Sequence, residues 1–308
     1  MEDRDDIIER QEGARILMCA PDHFAVDYAI NPWMDPARWA KDSGALESDA
    51  RREWRGLHRK LKKLGAAIEL VPPVAGLPDL VFTANAAIVM NGVALLAHFR
   101  HPERQGEEPY YERAFRELWA RGAIAAVHRP PPGLITEGAG DCVWDAARQM
   151  FWMGYGPRSE RAAASVVQEI FGIETVAVEL ANAHFYHMDT ALSPLPRGEV
   201  MFVPEAFTAA GLREIYDRVA PEQRIALAPE DSKVFAANAV KLGDDIAMSS
   251  CSAAASARPN HASFERLTST SAPSPTASRA SSGSIASRQS SMPARRRAAS
   301  TCVPLPAL

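Results

Sequence analysis

One unit of sequence recurs along this chain and restricts the folds open to it. Phe82-Thr83-Ala84-Asn85-Ala86-Ala87-Ile88-Val89 resembles Phe235-Ala236-Ala237-Asn238-Ala239-Val240-Lys241-Leu242. Each segment opens an apolar strand, then a turn (Asn91-Gly92 and Gly243-Asp244), then a second strand. Asn-Gly between apolar runs is a strong hairpin signal, because both central residues of the favoured turn need positive φ. Glu137-Gly138-Ala139-Gly140-Asp141 opens another pair of runs, Cys142 to Asp145 and Gln149 to Tyr155. Phe185-Tyr186-His187-Met188-Asp189-Thr190 opens a fourth, turning at Arg197-Gly198.

Helical patterns lie between the hairpins. Trp54, Leu57, Leu61 and Leu64 form an apolar stripe at helical spacing that Gly65 ends. Tyr110 to Arg121 is amphipathic and stops at Gly122, and Ser159 is placed to cap a helix running to Phe171 before Gly172. Thr208 to Val219 reads as a further helix. A short apolar strand follows each one: Ala67 to Val71, Ile124 to His128, Glu174 to Leu180 and Arg224 to Leu227. The unit is therefore hairpin, helix, strand, used about four times in an α/β chain. Polar motifs at equivalent places in each unit are expected to converge on one centre.

Composition sets the limits of this pattern. It breaks sharply near Met248, beyond which Ser, Ala, Pro, Arg and Thr dominate, Glu265 is the one acidic residue and Arg295-Arg296-Arg297 is a basic run. Such sequence buries too little apolar surface to offset its ordering entropy. The reading is a polar N-terminal extension over 1–14, a folded domain over 15–248 and a tail over 249–308 that is disordered or translated out of frame. A formal net charge of −4 gives no reason to expect nucleic acid or an anionic membrane as partner. No run is long and apolar enough to span a bilayer, and Met1 to Arg10 is too acidic and polar for a secretory signal. Cys19, Cys142, Cys251 and Cys302 show no CxxC spacing, so zinc and a disulfide framework are not expected and a cytoplasmic location is.

The hairpin motifs carry Asp79, Asn85, Glu137, Asp141, His187 and Asp189. Several carboxylates with one imidazole suit a cationic, hydrogen-bond-donating substrate, and a guanidinium presents its donors in a planar fork that carboxylates match. If Phe185 to Thr190 is a strand, His187 and Asp189 point to the same face of it. Arg104 and Arg158 are candidates for holding an α-carboxylate at the substrate's other end, with a surface ion pair as the plainer reading of each. Asp141 is a candidate substrate ligand, with a cap or backbone acceptor as its plainer reading and a tight turn as the plainer reading of Gly138 and Gly140. Asn31, before Pro32 and Trp33, is expected in an extended or turn conformation.

Pro21-Asp22-His23-Phe24, Ile30-Asn31-Pro32-Trp33-Met34, Asp79 to Ala86, Glu103-Arg104-Gln105-Gly106-Glu107-Glu108, Glu137 to Asp141 and Phe185 to Thr190 occur in this order. With these motifs residues 15 to 248 resemble the amidinotransferase superfamily of guanidino-group-modifying enzymes, arginine dihydrolase-type domains most nearly, then arginine deiminases and dimethylarginine dimethylaminohydrolases. The resemblance implies an α/β propeller, the pentein fold, of five pseudo-symmetric units around a central pocket, with the last unit degraded here. It implies His187 as general acid and base, Glu137 as the carboxylate that binds guanidinium and orients His187, and Asp79 and Asp189 as ligands of substrate nitrogens. Arg104 and Arg158 would face the substrate's carboxylate, and Asn85 and Asn31 would accompany hydrolysis beyond citrulline. No metal or organic cofactor is implied, and the partner is an arginine-like small molecule.

The family's nucleophile is a cysteine near the C-terminus, after a Gly-Gly pair and before a short apolar strand. This chain has no Gly-Gly after Met248; spacing from Asn238 points to the vicinity of Gly283, and Cys302 is the late cysteine available as nucleophile. The expectations are therefore hydrolysis of arginine or a related guanidino compound through a covalent cysteine intermediate, or an inactive relic of it. Amidino transfer, dimethylarginine hydrolysis and non-catalytic guanidino binding are the alternatives.

Overall fold

The computed structural model describes residues 14–242 and 245–248. Strand β1 (Arg15–Cys19) leads into helix α1 (Pro36–Lys63) and then β2 (Ala67–Val71), which pairs parallel with β1. Helix α1 starts where Asp35 accepts from the Arg38 N–H at 3.0 Å ahead of Pro36. Its last turn carries Lys60, Lys62 and Lys63, favourable beside the exposed carbonyls of a helix end. The helix stops before Gly65, whose φ is +90°. The apolar stripe located only its second half, because Pro36 to Glu53 has few apolar residues to show a period.

Three units then repeat one sheet order. Strands β3 (Ala87–Met90) and β4 (Val93–Leu96) form a hairpin, helices α2 (Pro102–Gln105) and α3 (Glu108–Ala120) follow, and β5 (Ala126–His128) pairs parallel with β4. Asn91 and Gly92, at φ +49° and +73°, make the turn that their sequence demands. The second unit is β6 (Cys142–Asp145), β7 (Met150–Tyr155), α4 (Ala163–Phe171) and β8 (Thr175–Glu179). In the third, helix α5 (Met188–Ala191) precedes β9 (Leu192–Pro194) and β10 (Val200–Phe202), then α6 (Ala209–Arg218) and β11 (Arg224–Ala226). After α7 (Pro229–Ser232) comes the hairpin of β12 (Ala239–Leu242) and β13 (Asp245–Met248). The turn at Gly243-Asp244 and the tail over 249–308 lie outside the described residues.

Each unit's helix lies against strands of the preceding unit. Helix α3 packs on β2, α4 on β4 and α6 on β8. Helix α1 does the same through Trp54, Leu57 and Leu61, which share an apolar cluster with Val240, Leu242 and Ala247 of the β12–β13 hairpin. The largest cluster joins Trp152 and Val178 of the second unit to Met201, Phe202 and Ile215 of the third. The units are thus bound by the apolar surface that a three-stranded sheet and one helix cannot bury alone.

Two local expectations are corrected. Phe185 to Thr190 is not a strand: His187 is extended, with φ −124° and ψ 153°, and the chain turns into α5 at Met188. His187 and Asp189 therefore do not share a strand face. Ser159 does not cap α4, which begins at Ala163; its backbone and hydroxyl bond elsewhere.

Candidate active site

The turns that precede the hairpin strands bring their polar residues together. His187 is 2% exposed at the N-terminus of α5. Its Nδ1 lies 3.0 Å from Asp141 Oδ1, and its Nε2 lies 3.6 Å from Glu137 Oε2 and 3.3 Å from Asn85 Nδ2. Asp141 sits at the end of the 3-10 turn Gly138–Gly140. It also accepts from Met188 N at 3.3 Å, Ser159 N at 3.1 Å and Ser159 Oγ at 2.5 Å. Ser159 Oγ in turn accepts from Glu137 N at 2.9 Å. The side chain on the His187 Nδ1 is thus Asp141, read from the sequence as a substrate ligand or a turn cap, while Glu137 faces the opposite nitrogen.

Glu137 is fully buried. Its Oε1 accepts from Arg100 N at 3.0 Å and its Oε2 from Arg158 Nη1 at 2.9 Å. Burial works to raise its carboxyl pKa, but Arg158, His187, Arg104 and the Arg100 N–H outweigh burial and hold it below the ordinary value. Arg158 is itself buried, donates from Nη2 to Ile30 O at 3.3 Å and lies 4.9 Å from the Tyr186 ring centre. The two glycines do more than permit a tight turn. Gly138 has φ +66°, and a Cβ there would come within 2.6 Å of the Asn85 carbonyl. A Cβ on Gly140 would overlap Asn85 Nδ2.

Asn85 lies within the 3-10 turn Thr83–Ala86 ahead of β3. Its Nδ2 donates to Glu137 O at 3.3 Å and its Oδ1 accepts from Arg104 Nη1 at 3.0 Å. Arg104 is committed inside the protein: Glu107 accepts from its Nε at 2.9 Å and Nη2 at 2.8 Å, Asp79 O accepts at 3.3 Å, and Phe99 lies 4.4 Å from its guanidinium carbon. Burial would lower the Arg104 pKa, yet Glu107 outweighs it and holds the group well above its usual range. Glu107, which lies between α2 and α3, went unnoticed as a functional residue in the sequence, although its spacing of three from Arg104 was the available signal.

Asp79 and Asp189 each bury an Oδ1 that has no hydrogen-bond partner among the described residues. Burial raises both carboxyls, against Arg104 for Asp79 and with Asp141 adding to the rise for Asp189. Asn31 turns its Oδ1 onto Trp33 N at 2.9 Å, a local turn bond, and Trp33 Nε1 donates to His184 O at 2.7 Å. Cys19 and Cys142 are buried, and burial pushes the first thiol up to about 12 and the second well above its usual value, so neither resembles an activated thiolate. Cys302 lies outside the described residues. Among the described residues, no group of three His, Cys, Asp or Glu side chains could hold a metal ion, and no helix is long and apolar enough to cross a membrane.

A family model for eukaryotic N,N-dimethylarginine dimethylhydrolase matches residues 20–273. The chain belongs to the dimethylarginine dimethylaminohydrolase family. A member from Mycobacterium tuberculosis, N(G),N(G)-dimethylarginine dimethylaminohydrolase, is 32% identical over 251 residues, which are 82% of this chain and 78% of that protein. The bifunctional arginine dihydrolase/ornithine cyclodeaminase AgrE of Nostoc sp. is 40% identical over 242 residues, 77% of this chain but 32% of AgrE. This family member thus spans about a third of the length of that bifunctional relative. The crystal structure of an AgrE cysteine-to-alanine mutant with L-arginine is similar at a TM-score of 0.72 and 39% identity, covering 82% of this chain and 36% of that one. The N-terminal domain of ArgZ, a cyanobacterial arginine dihydrolase crystallised as a cysteine-to-serine mutant bound to substrate, gives 0.68 and 38% with 77% and 85% covered.

Proposed function

We propose that this chain recognises the guanidino group of arginine, or of a methylated arginine, at the Glu137–His187 centre and hydrolyses it. The observation that carries this reading is the His187 imidazole held between Asp141 on Nδ1 and Glu137 near Nε2, in one buried cluster with Asn85. The unpaired Oδ1 atoms of Asp79 and Asp189 are acceptors of the type that a guanidinium fork needs. The relatives described as binding arginine or substrate support the substrate class. We read the architecture as a five-unit ring over residues 15–248, supported by helix-on-preceding-unit packing that runs from α1 on the β12–β13 hairpin to α6 on β8.

In this mechanism His187 Nε2 takes the proton of a cysteine thiol, and the thiolate adds to the guanidinium carbon. The C–N bond breaks as Nε2 returns the proton to the leaving ammonia or amine. His187 then takes a proton from water, whose oxygen attacks the amidino-thioether carbon and frees the thiol, leaving a ureido product. A second round would give ornithine, ammonia and carbon dioxide. The nucleophile assigned is Cys302. A second reading, guanidino binding without turnover, is favoured by the absence of Gly-Gly before that cysteine.

The test is incubation of the 308-residue protein with arginine and with dimethylarginine, with products measured by mass spectrometry beside a Cys302→Ala control. Ornithine or citrulline that vanishes in the control supports hydrolysis through Cys302. Binding without product supports the second reading, and neither binding nor product removes the proposal.

A further inference from the structure

We infer that Ser159 is a positioning residue: its hydroxyl joins the backbone of Glu137 to the carboxylate of Asp141 and so couples the two acids that flank His187. The inference rests on the proposed function only for its kinetic consequence. Donor chemistry fixes the direction of each bond. The Glu137 N–H can only donate, and it lies 2.9 Å from Ser159 Oγ. The hydroxyl hydrogen is therefore left for Asp141 Oδ2 at 2.5 Å. Asp141 presents its other oxygen to His187 Nδ1 at 3.0 Å, and the Glu137 carboxylate lies 3.6 Å from Nε2. One hydroxyl thus stands between the residues on the two ring nitrogens.

The loop that carries Ser159 does not depend on this hydroxyl. Ser159 O accepts from Gly156 N at 3.0 Å, Arg158 O accepts from Arg100 Nε at 2.7 Å, and Ser159 N donates to Asp141 Oδ2 at 3.1 Å. Met188 N donates to Oδ1 at 3.3 Å, so backbone donors hold both oxygens of Asp141. The Glu137 carboxylate has Arg100 N and Arg158 Nη1. What the hydroxyl adds is an acceptor for Glu137 N and a short, charge-assisted bond that draws on the Asp141 charge. Ser159 is 1% exposed, so bulk solvent does not reach the place of the hydroxyl. Removing the hydroxyl concentrates the Asp141 charge on the His187 ring and frees the backbone end of Glu137.

The test uses the full chain carrying ¹⁵N-histidine and follows the Nδ1 proton resonance of His187, identified by its loss in His187→Gln. Ser159→Ala is expected to move this resonance downfield, because Asp141 bonds the ring more strongly once the competing donor is gone. It is also expected to lower kcat for arginine about 10-fold, a part of what an acid–base group contributes. KM should stay unchanged, since the Glu137 carboxylate keeps its partners. Ser159→Thr retains a hydroxyl and should restore both the resonance and kcat. A resonance that stays in place, or moves upfield as it would if Asp141 merely lost an anchor, overturns the inference. So does a folded Ser159→Thr that behaves like Ser159→Ala, or a raised KM with unchanged kcat, which would put Ser159 in substrate binding alone. If Ser159→Ala does not fold, Ser159→Cys decides by the same resonance: a thiol donates weakly, so a smaller downfield shift is expected and no shift refutes the argument. If wild type neither binds nor turns over arginine, the proposed function fails, while the resonance still judges the role of Ser159.

Discussion

Replacing Asp141 with Asn changes one atom and sets four hydrogen bonds against one another. In the native site the two carboxylate oxygens face only donors: His187 Nδ1 and Met188 N on Oδ1, Ser159 N and Ser159 Oγ on Oδ2. An amide must put its NH₂ on one of these sides. At the Oδ1 position it opposes the Met188 N–H and forces Nδ1 to accept, which moves the ring proton to Nε2. At the Oδ2 position it opposes the Ser159 N–H. Either way one buried donor is left unsatisfied, at about 1–3 kcal/mol, and the remaining bonds lose the strength that a charged acceptor gives. The expected destabilisation of Asp141→Asn is about 2–4 kcal/mol. Turnover should fall about 10²–10⁴-fold, because the base is misprotonated or misoriented. Urea unfolding measures the first effect, and kcat across the pH range measures the second. A purely structural Asp141 would lower stability without altering the pH profile. A variant within about 0.5 kcal/mol of wild type that keeps both kcat and its pH profile would refute the reasoning.

Gly140→Ala places a methyl where Asn85 Nδ2 stands and 3.5 Å from His187 Cγ; it should cost about 1–3 kcal/mol in thermal unfolding and reduce kcat more than arginine binding. Arg148→Met removes the guanidinium that pairs with Asp145 at 2.9 Å and bonds Gly198 O and Gln223 across to the third unit. Asp145 has no exposure and loses its salt bridge, keeping Trp152 Nε1 at 3.0 Å and a longer-range attraction to Lys241, so a loss of about 3 kcal/mol is expected in urea. The depressed Glu137 carboxyl contributes stability that is present above the unfolded glutamate value of about 4.3 and lost as pH falls through its lower folded value. Glu137→Gln should therefore flatten the acid limb of a stability–pH curve. Asp189 has the opposite sign: its raised carboxyl favours the fold below the unfolded value of about 3.9 and loses that contribution as pH rises, so Asp189→Asn should be more stable than wild type at pH 7 in urea, with the gain shrinking toward acid pH.

Local periodicity made most of the scaffold legible. The Asn91-Gly92 turn, the stop at Gly172 with φ +64° and the helix start at Thr208, whose side chain accepts from Gly211 N at 3.1 Å, all rest on interactions within a few residues. The segment from Phe185 to Thr190 was misread for a physical reason: α5 has four residues, too few to impose a helical period on an apolar-polar alternation. Ser159 was assigned to the helix that follows it, whereas its partners Asp141 and Glu137 lie 18 and 22 residues earlier. Arg104 and Arg158 were read from the sequence as candidates for the substrate's carboxylate end, but their internal partners Glu107 and Glu137 depend on burial, which sequence spacing does not report.

The repeat explains why distant residues meet. Asn85, Asp141, Asp189 and Asn238 each occupy the turn just ahead of the first strand of a hairpin, at β3, β6, β9 and β12. Because each unit packs on its predecessor, these turns lie side by side and bond from one unit to the next: Asn85 to Glu137 O, Asp141 to the His187 ring and Met188 N, and Asn238 to Asp189 O at 3.3 Å. The geometry of the proposed site and the unit-to-unit contacts therefore rest on shared hydrogen bonds. A substitution in this circuit must alter stability and His187 together, and one at an outer contact such as Arg148 must alter stability first. This separation distinguishes a site built across several units from one merely displayed on a single loop.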